Sequence, residues 1–68
     1  MELRDFLKSK RKAAGMTQAD LSSKAGVGLR LVREIEQGKT SMRMNKVNQV
    51  LALFGSELGV TQKQKHND

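Results

Sequence analysis

Sixty-eight residues without cysteine, proline, tryptophan or tyrosine, and with only two phenylalanines, allow at most one domain. A chain this short buries roughly 60% of its unfolded surface, and no disulfide or thiolate metal site can reinforce the core, so association with a second copy is the ordinary route to stability. Thirteen Lys and Arg against seven Asp and Glu give a net charge of +6, spread over the body, which points to a polyanion, nucleic acid before an anionic membrane surface.

Two phenylalanines are too few for the stacking platforms of single-strand binders. The apolar runs are too short for a membrane span. The charged start Met1-Glu-Leu-Arg-Asp has no apolar stretch behind it, so no signal peptide is expected and the chain is expected in the cytoplasm.

Glycines divide the chain into four segments of helical length. The first, residues 2–14, sets Leu3, Phe6, Leu7, Ala13 and Ala14 near one face, with Gly15 as its stop. The second opens on Thr17-Gln18-Ala19-Asp20, a capping-box pattern, turns Leu21, Ala25 and in part Ala19 inward, and stops at Gly26. The third, residues 28–37, starts from Gly28, buries Val32 and Ile35, and ends at Gly38. The fourth, residues 44–54, aligns Met44, Val47, Val50, Leu51 and Phe54 and ends at Gly55. Met16 and Met44 are expected in the core and Met42 at the surface.

The period then changes. Ser56-Glu57-Leu58-Gly59-Val60-Thr61 alternates polar and apolar, which predicts a short strand that finds no mate within the chain. Residues 62–68 are polar and are expected to be a disordered tail. His66, in that tail, is the single histidine, so neither a zinc site nor a nucleophile–base pair can be assembled; no metal, no cofactor and no enzyme are expected.

Two short helices over 17–25 and 29–37, joined by Gly26-Val27-Gly28, have the dimensions of a helix-turn-helix. With Val32 and Ile35 inward, Arg30, Glu34 and Gln37 point outward, flanked by Leu29 and Arg33. Periodicity alone leaves that outward set between a base-reading face and an ordinary solvated one.

Residues 8–40 resemble the helix-turn-helix domain of the phage-repressor (Cro/C1, or XRE) family. The likeness is carried by Lys8-Ser9-Lys10-Arg11, by Gly15-Met16-Thr17-Gln18-Ala19-Asp20-Leu21, by Lys24-Ala25-Gly26-Val27, and by Ile35-Glu36-Gln37-Gly38-Lys39-Thr40. A narrower likeness, Val47-x-x-Val50-Leu51-x-x-Phe54-Gly55-x-x-Leu58-x-Val60, is to the HipB-like antitoxins. The fold implied is all-α: a four-helix, lambda-repressor-like domain over residues 1–55, then a dimerisation strand at 56–61 that pairs across a homodimer.

The resemblance implies site residues as well. Thr17 and Gln18 lie at the start of helix two, where free N–H groups favour a phosphate, with Gln18 on the DNA backbone and a nearby base also open to it. Gly28, Leu29, Arg30, Arg33 and Glu34 fall at groove-facing positions, and Lys39 at a phosphate contact. Arg30 suits guanine, since one Arg can satisfy two of its acceptors. Arg33 has base, phosphate or an intrahelical pair open to it, with phosphate preferred. Glu34 either accepts from cytosine or tethers Arg30 one turn back, with the tether preferred. Leu29 departs from the polar residue often found there, and either touches a thymine methyl or lies outside the contact. Arg11 and Glu36 are implied to form a structural ion pair, which leaves Lys8, Lys10 and Lys12 as a solvated face. Leu58 and Val60, with Leu51 and Phe54 beneath, are implied to close the dimer.

The function expected is a sequence-specific repressor of double-stranded DNA that reads a near-palindromic operator, autoregulates its operon and binds a HipA-like kinase toxin. The alternatives are a free-standing XRE-family regulator without a toxin, and a protein-interaction module that no longer reads DNA.

Overall fold

A computed structural model of the protein describes residues 2–62. Four α-helices follow one another: α1 (Leu3–Ala13), α2 (Gln18–Ala25), α3 (Leu29–Glu36) and α4 (Met44–Leu51), the last running into a 3-10 turn, Ala52–Phe54. All four lie within the segments that the glycines mark out. The expected tail at 63–68, with His66, lies outside the described residues.

Local chemistry sets the helix ends. At the start of α2 the Asp20 N–H donates to the Thr17 hydroxyl (3.0 Å) and the Thr17 N–H donates to the Asp20 carboxylate (2.9 Å), a complete capping box. At the far ends, Met16, Val27, Lys39 and Ser56 donate their N–H to carbonyls five residues back, those of Arg11, Ser22, Glu34 and Leu51. Each bond closes over a glycine and satisfies a carbonyl the helix would leave open. Gly26 shows the requirement most plainly. Its φ is +72°, and a Cβ there would sit 3.3 Å from the Gln49 amide nitrogen.

The core is Leu7 from α1, Leu21 and Ala25 from α2, Val32 and Ile35 from α3, and Val47, Val50 and Leu51 from α4. α3 lies at its centre and packs against the other three helices. Leu3, Phe6, Met16, Val27, Leu31, Met42, Phe54 and Leu58 close the rim.

Expectations about five side chains are corrected. Ala13 and Ala14 are exposed. Ala13 lies off the Leu3–Leu7 row, Ala14 sits beyond the last helical residue, and the next inward position on that row is Arg11. Ala19 is exposed in the first turn of α2. Met44 and Met42 exchange places: Met44 is 66% exposed, while Met42 packs on the core from the connection before α4. Spacing sets Met44 on the inner face, but it is the first residue of α4.

Residues 56–62 form neither helix nor strand, so the strand expected at 56–61 is absent among the described residues; a ladder needs a second chain to complete it. Leu58 nevertheless packs on the core, and its N–H donates to the Asn48 side chain at 2.6 Å. Val60 is fully exposed. No helix among the described residues is long and apolar enough to cross a membrane.

Candidate nucleic-acid interface

The helix-turn-helix is α2, the turn Gly26-Val27-Gly28, and α3. Leu21 and Ala25 on one side and Val32 and Ile35 on the other fix the two helices through the core. Gln49, from α4, holds the turn from behind: its amide donates to the carbonyls of Ala25 (2.7 Å) and Gly26 (3.2 Å).

A polar joint sets the attitude of α3. Arg11 Nε and Nη2 donate to the two oxygens of Glu36 at 2.7 and 3.0 Å, and Nη1 donates to the Met16 carbonyl at 2.9 Å. The side chains are 12% and 2% exposed. The Gln18 amide adds a bond to Glu36 at 3.2 Å. One carboxylate in the last turn of α3 thereby ties α1, the start of α2 and α3 together. Burial pushes the Glu36 carboxyl up, but the bonds from Arg11 and then Gln18 outweigh it and hold it below the ordinary value. The bond to Glu36 raises Arg11 in turn.

Thr17 caps α2, so its hydroxyl is engaged internally. Gln18 commits one amide hydrogen to Glu36 and retains a second. Gly28 caps α3 with an ordinary φ of −72° and open space where a Cβ would lie, so nothing in the chain itself demands glycine there. Leu29 is half-buried, Arg33 is exposed, and Arg30 is 89% exposed. Glu34 stands 3.5 Å from Arg30 Nε and 2.7 Å from Lys39 Nζ. Of the four residues implied at a dimer contact, Leu51 is buried in the core, Phe54 and Leu58 are half-buried on its rim, and Val60 is free.

Two cations escaped sequence reasoning. Arg43 and Lys46 line a groove with Gly28, Leu31 and Glu34 beside α3. Neither is in an ion pair among the described residues. Their charge was visible in the composition, but no motif marked them.

The sequence profile described as Helix-turn-helix matches residues 7–61, which takes in all of α2, α3 and α4 and most of α1. The chain belongs to the helix-turn-helix family of the Cro/C1 (XRE) type. Among curated relatives, an uncharacterized HTH-type transcriptional regulator of Sinorhizobium fredii (strain NBRC 101917 / NGR234), y4mF, is 38% identical over 50 residues. The match covers 74% of this chain and 66% of that relative, so the chain spans a little under two thirds of the relative's length. No solved structure matches the chain. Among the described residues, no group of three or more His, Cys, Asp or Glu could hold a metal ion. In this family member the outward face of α3 is polar, with two arginines, and the cations that follow α3 lie on the turn and at the start of α4.

The joint makes stability pH-dependent in one direction. Glu36, Glu34 and Asp20 all have carboxyls held below their ordinary values: Asp20 by the Thr17 N–H and then its hydroxyl, Glu34 by the bond from Lys39 against partial burial. A depressed carboxyl stabilises the fold fully above its unfolded value, about 4.5 for Glu, and loses that contribution as pH falls through the folded value. The melting temperature, followed by circular dichroism, is therefore expected to be flat from neutrality down to about pH 5 and to fall below about pH 4.5.

Proposed function

We propose that this chain is a dimeric, sequence-specific DNA-binding transcriptional repressor, a HipB-like antitoxin that autoregulates its operon and binds a HipA-like kinase toxin. The observation that carries the DNA reading is α3 itself: its inner face is fixed by the core and by the Arg11–Glu36 joint, and Arg30 and Arg33 stand on its exposed side. Two such helices in a dimer read half-sites one helical turn, about 34 Å, apart. The dimer reading rests on residues 56–62. They carry no internal ladder, are anchored at Leu58 by Asn48, and present Val60 to solvent. The toxin reading rests on the resemblance alone.

Arg30 reads a base in this scheme and Lys39 a phosphate. Arg30→Ala is expected to relax preference at one position of each half-site, the loss of a bidentate Arg–guanine pair being about 1–3 kcal/mol. Lys39→Ala is expected to weaken binding evenly across sequences. Fluorescence anisotropy against a panel of single-base variants separates the two; even losses for both would remove Arg30 from the reading.

The deciding experiment is titration against the duplex upstream of the chain's own gene, beside a scrambled duplex, at two salt concentrations. A preference of about a thousandfold or more supports a self-repressing regulator. Equal, steeply salt-dependent binding to both overturns specificity at that site. The second reading, a free-standing regulator without a toxin, is favoured by the relative's name, which describes a transcriptional regulator and nothing more. An adjacent kinase-like reading frame supports the antitoxin; its absence supports the regulator.

A further inference from the structure

The geometry points to Glu34 as a specificity-determining residue of the DNA face. It holds the Lys39 ammonium and the Arg30 guanidinium as an internal stand-in for phosphate until a duplex displaces it; this rests on the DNA reading above. One oxygen, Oε2, serves both cations, at 2.7 Å from Lys39 Nζ and 3.5 Å from Arg30 Nε. The carboxylate is the sheltered member, 21% exposed, against 46% for Lys39 and 89% for Arg30. Lys39 returns to Glu34 through its backbone too. The chain turns at Gly38, φ +82°, and the Lys39 N–H donates to the Glu34 carbonyl at 3.0 Å. The bond from Lys39, with the charges of Lys39 and Arg30, holds the carboxyl below its ordinary value.

A phosphate oxygen offers Lys39 the kind of contact that the carboxylate already gives. Exchanging one for the other gains little and leaves Glu34 facing phosphates. On a mismatched duplex only that exchange takes place, and Arg30 keeps its place beside Glu34. On a matched duplex Arg30 gains a base edge to which it can bond twice, a contact the carboxylate does not supply. That contact is the same with or without Glu34, but reaching it takes Arg30 as well as Lys39 away from the carboxylate, so Glu34 subtracts more from base-matched binding than from phosphate-only binding. Arg43 and Lys46, the two cations of the groove that Glu34 also lines, form no ion pair with it among the described residues.

The test compares the native chain, Glu34→Gln, Lys39→Ala and the double variant. The probes are a mixed-sequence duplex of about 30 base pairs and the duplex upstream of the gene, between about 50 and 200 mM salt. Glu34→Gln is isosteric at a partly exposed position, and an unchanged helical dichroism signal verifies its fold. The expected result is about fivefold tighter binding to the mixed duplex, the upper range for freeing a surface ion pair, with a salt slope steeper by about one. The gain on the upstream duplex is larger, because Arg30 as well as Lys39 leaves Glu34 there, so the preference between the two rises; an equal or smaller gain there overturns the specificity role. Lys39→Ala costs more in the Glu34→Gln background than in the native chain. Native binding to DNA that Glu34→Gln leaves unchanged or weakens on the mixed duplex overturns the inference and spares the DNA reading. A native chain that binds neither duplex overturns both.

Discussion

Arg11→Ala will destabilise the domain by about 3 kcal/mol, near the low end for breaking a buried ion pair from one side. Three hydrogen bonds go with the guanidinium, and the Glu36 carboxylate, 2% exposed, keeps only the Gln18 amide. An uncompensated charge at that depth is the main cost. Stability of roughly 0.05–0.15 kcal/mol per residue puts a chain of this length at a few kcal/mol in all, so the loss takes up much of it. Urea unfolding followed by circular dichroism measures the change. A loss below about 1 kcal/mol would mean that water enters the joint and supports Glu36 unaided. The paired replacement Arg11→Met with Glu36→Leu is expected to recover most of the stability, because two apolar groups of similar size remove the unpaired charge. It separates the joint's contribution to folding from its role in aiming α3. Restored stability with weakened DNA affinity would assign the pair to orientation.

Val60→Lys will disrupt the proposed dimer and leave the monomer fold intact. Val60 is fully exposed in the single chain, so no packing within the chain depends on it. Burying one valine removes about 1.5 kcal/mol or more of exposure, and a two-fold interface counts it twice; lysine reverses that gain and sets like charges together. Dimer affinity is therefore expected to fall about a hundredfold or more. Light scattering reads the mass, and the melting temperature loses its dependence on protein concentration. Deleting residues 56–68 tests the same segment less cleanly, since it also removes Leu58 from the core rim and its N–H from Asn48. An unchanged mass for Val60→Lys at concentrations where the native chain is dimeric would move the interface away from this segment.

The helix limits were legible because they are written in local chemistry: a Thr-x-x-Asp start at α2 and a glycine stop after every helical segment. The buried row Val32–Ile35 was legible from period, and with it the outward place of Arg30. The Arg11–Glu36 geometry entered through the resemblance, since nothing in the spacing of two charges 25 residues apart announces a contact. Ala13, Ala14 and Met44 went astray where a helix face was carried past the point at which neighbours cover it. Gln49 and Asn48 left no pattern at all. Each is a polar side chain bonded to backbone far along the chain, and period analysis reads them as solvated residues on α4.

Gln49 has a consequence for motion as well as for shape. Its two bonds make the turn between α2 and α3 share hydrogen bonding with α4, and Asn48, next to it, does the same for the segment at Leu58. Fraying of α4 therefore releases the turn and the segment after the 3-10 helix together. In native-state hydrogen exchange the protected amides of α2, α3 and α4 should share one opening free energy, behaving as a single cooperative unit. The aim of the outward face is then conserved for as long as the domain is folded, and is lost only with the fold itself.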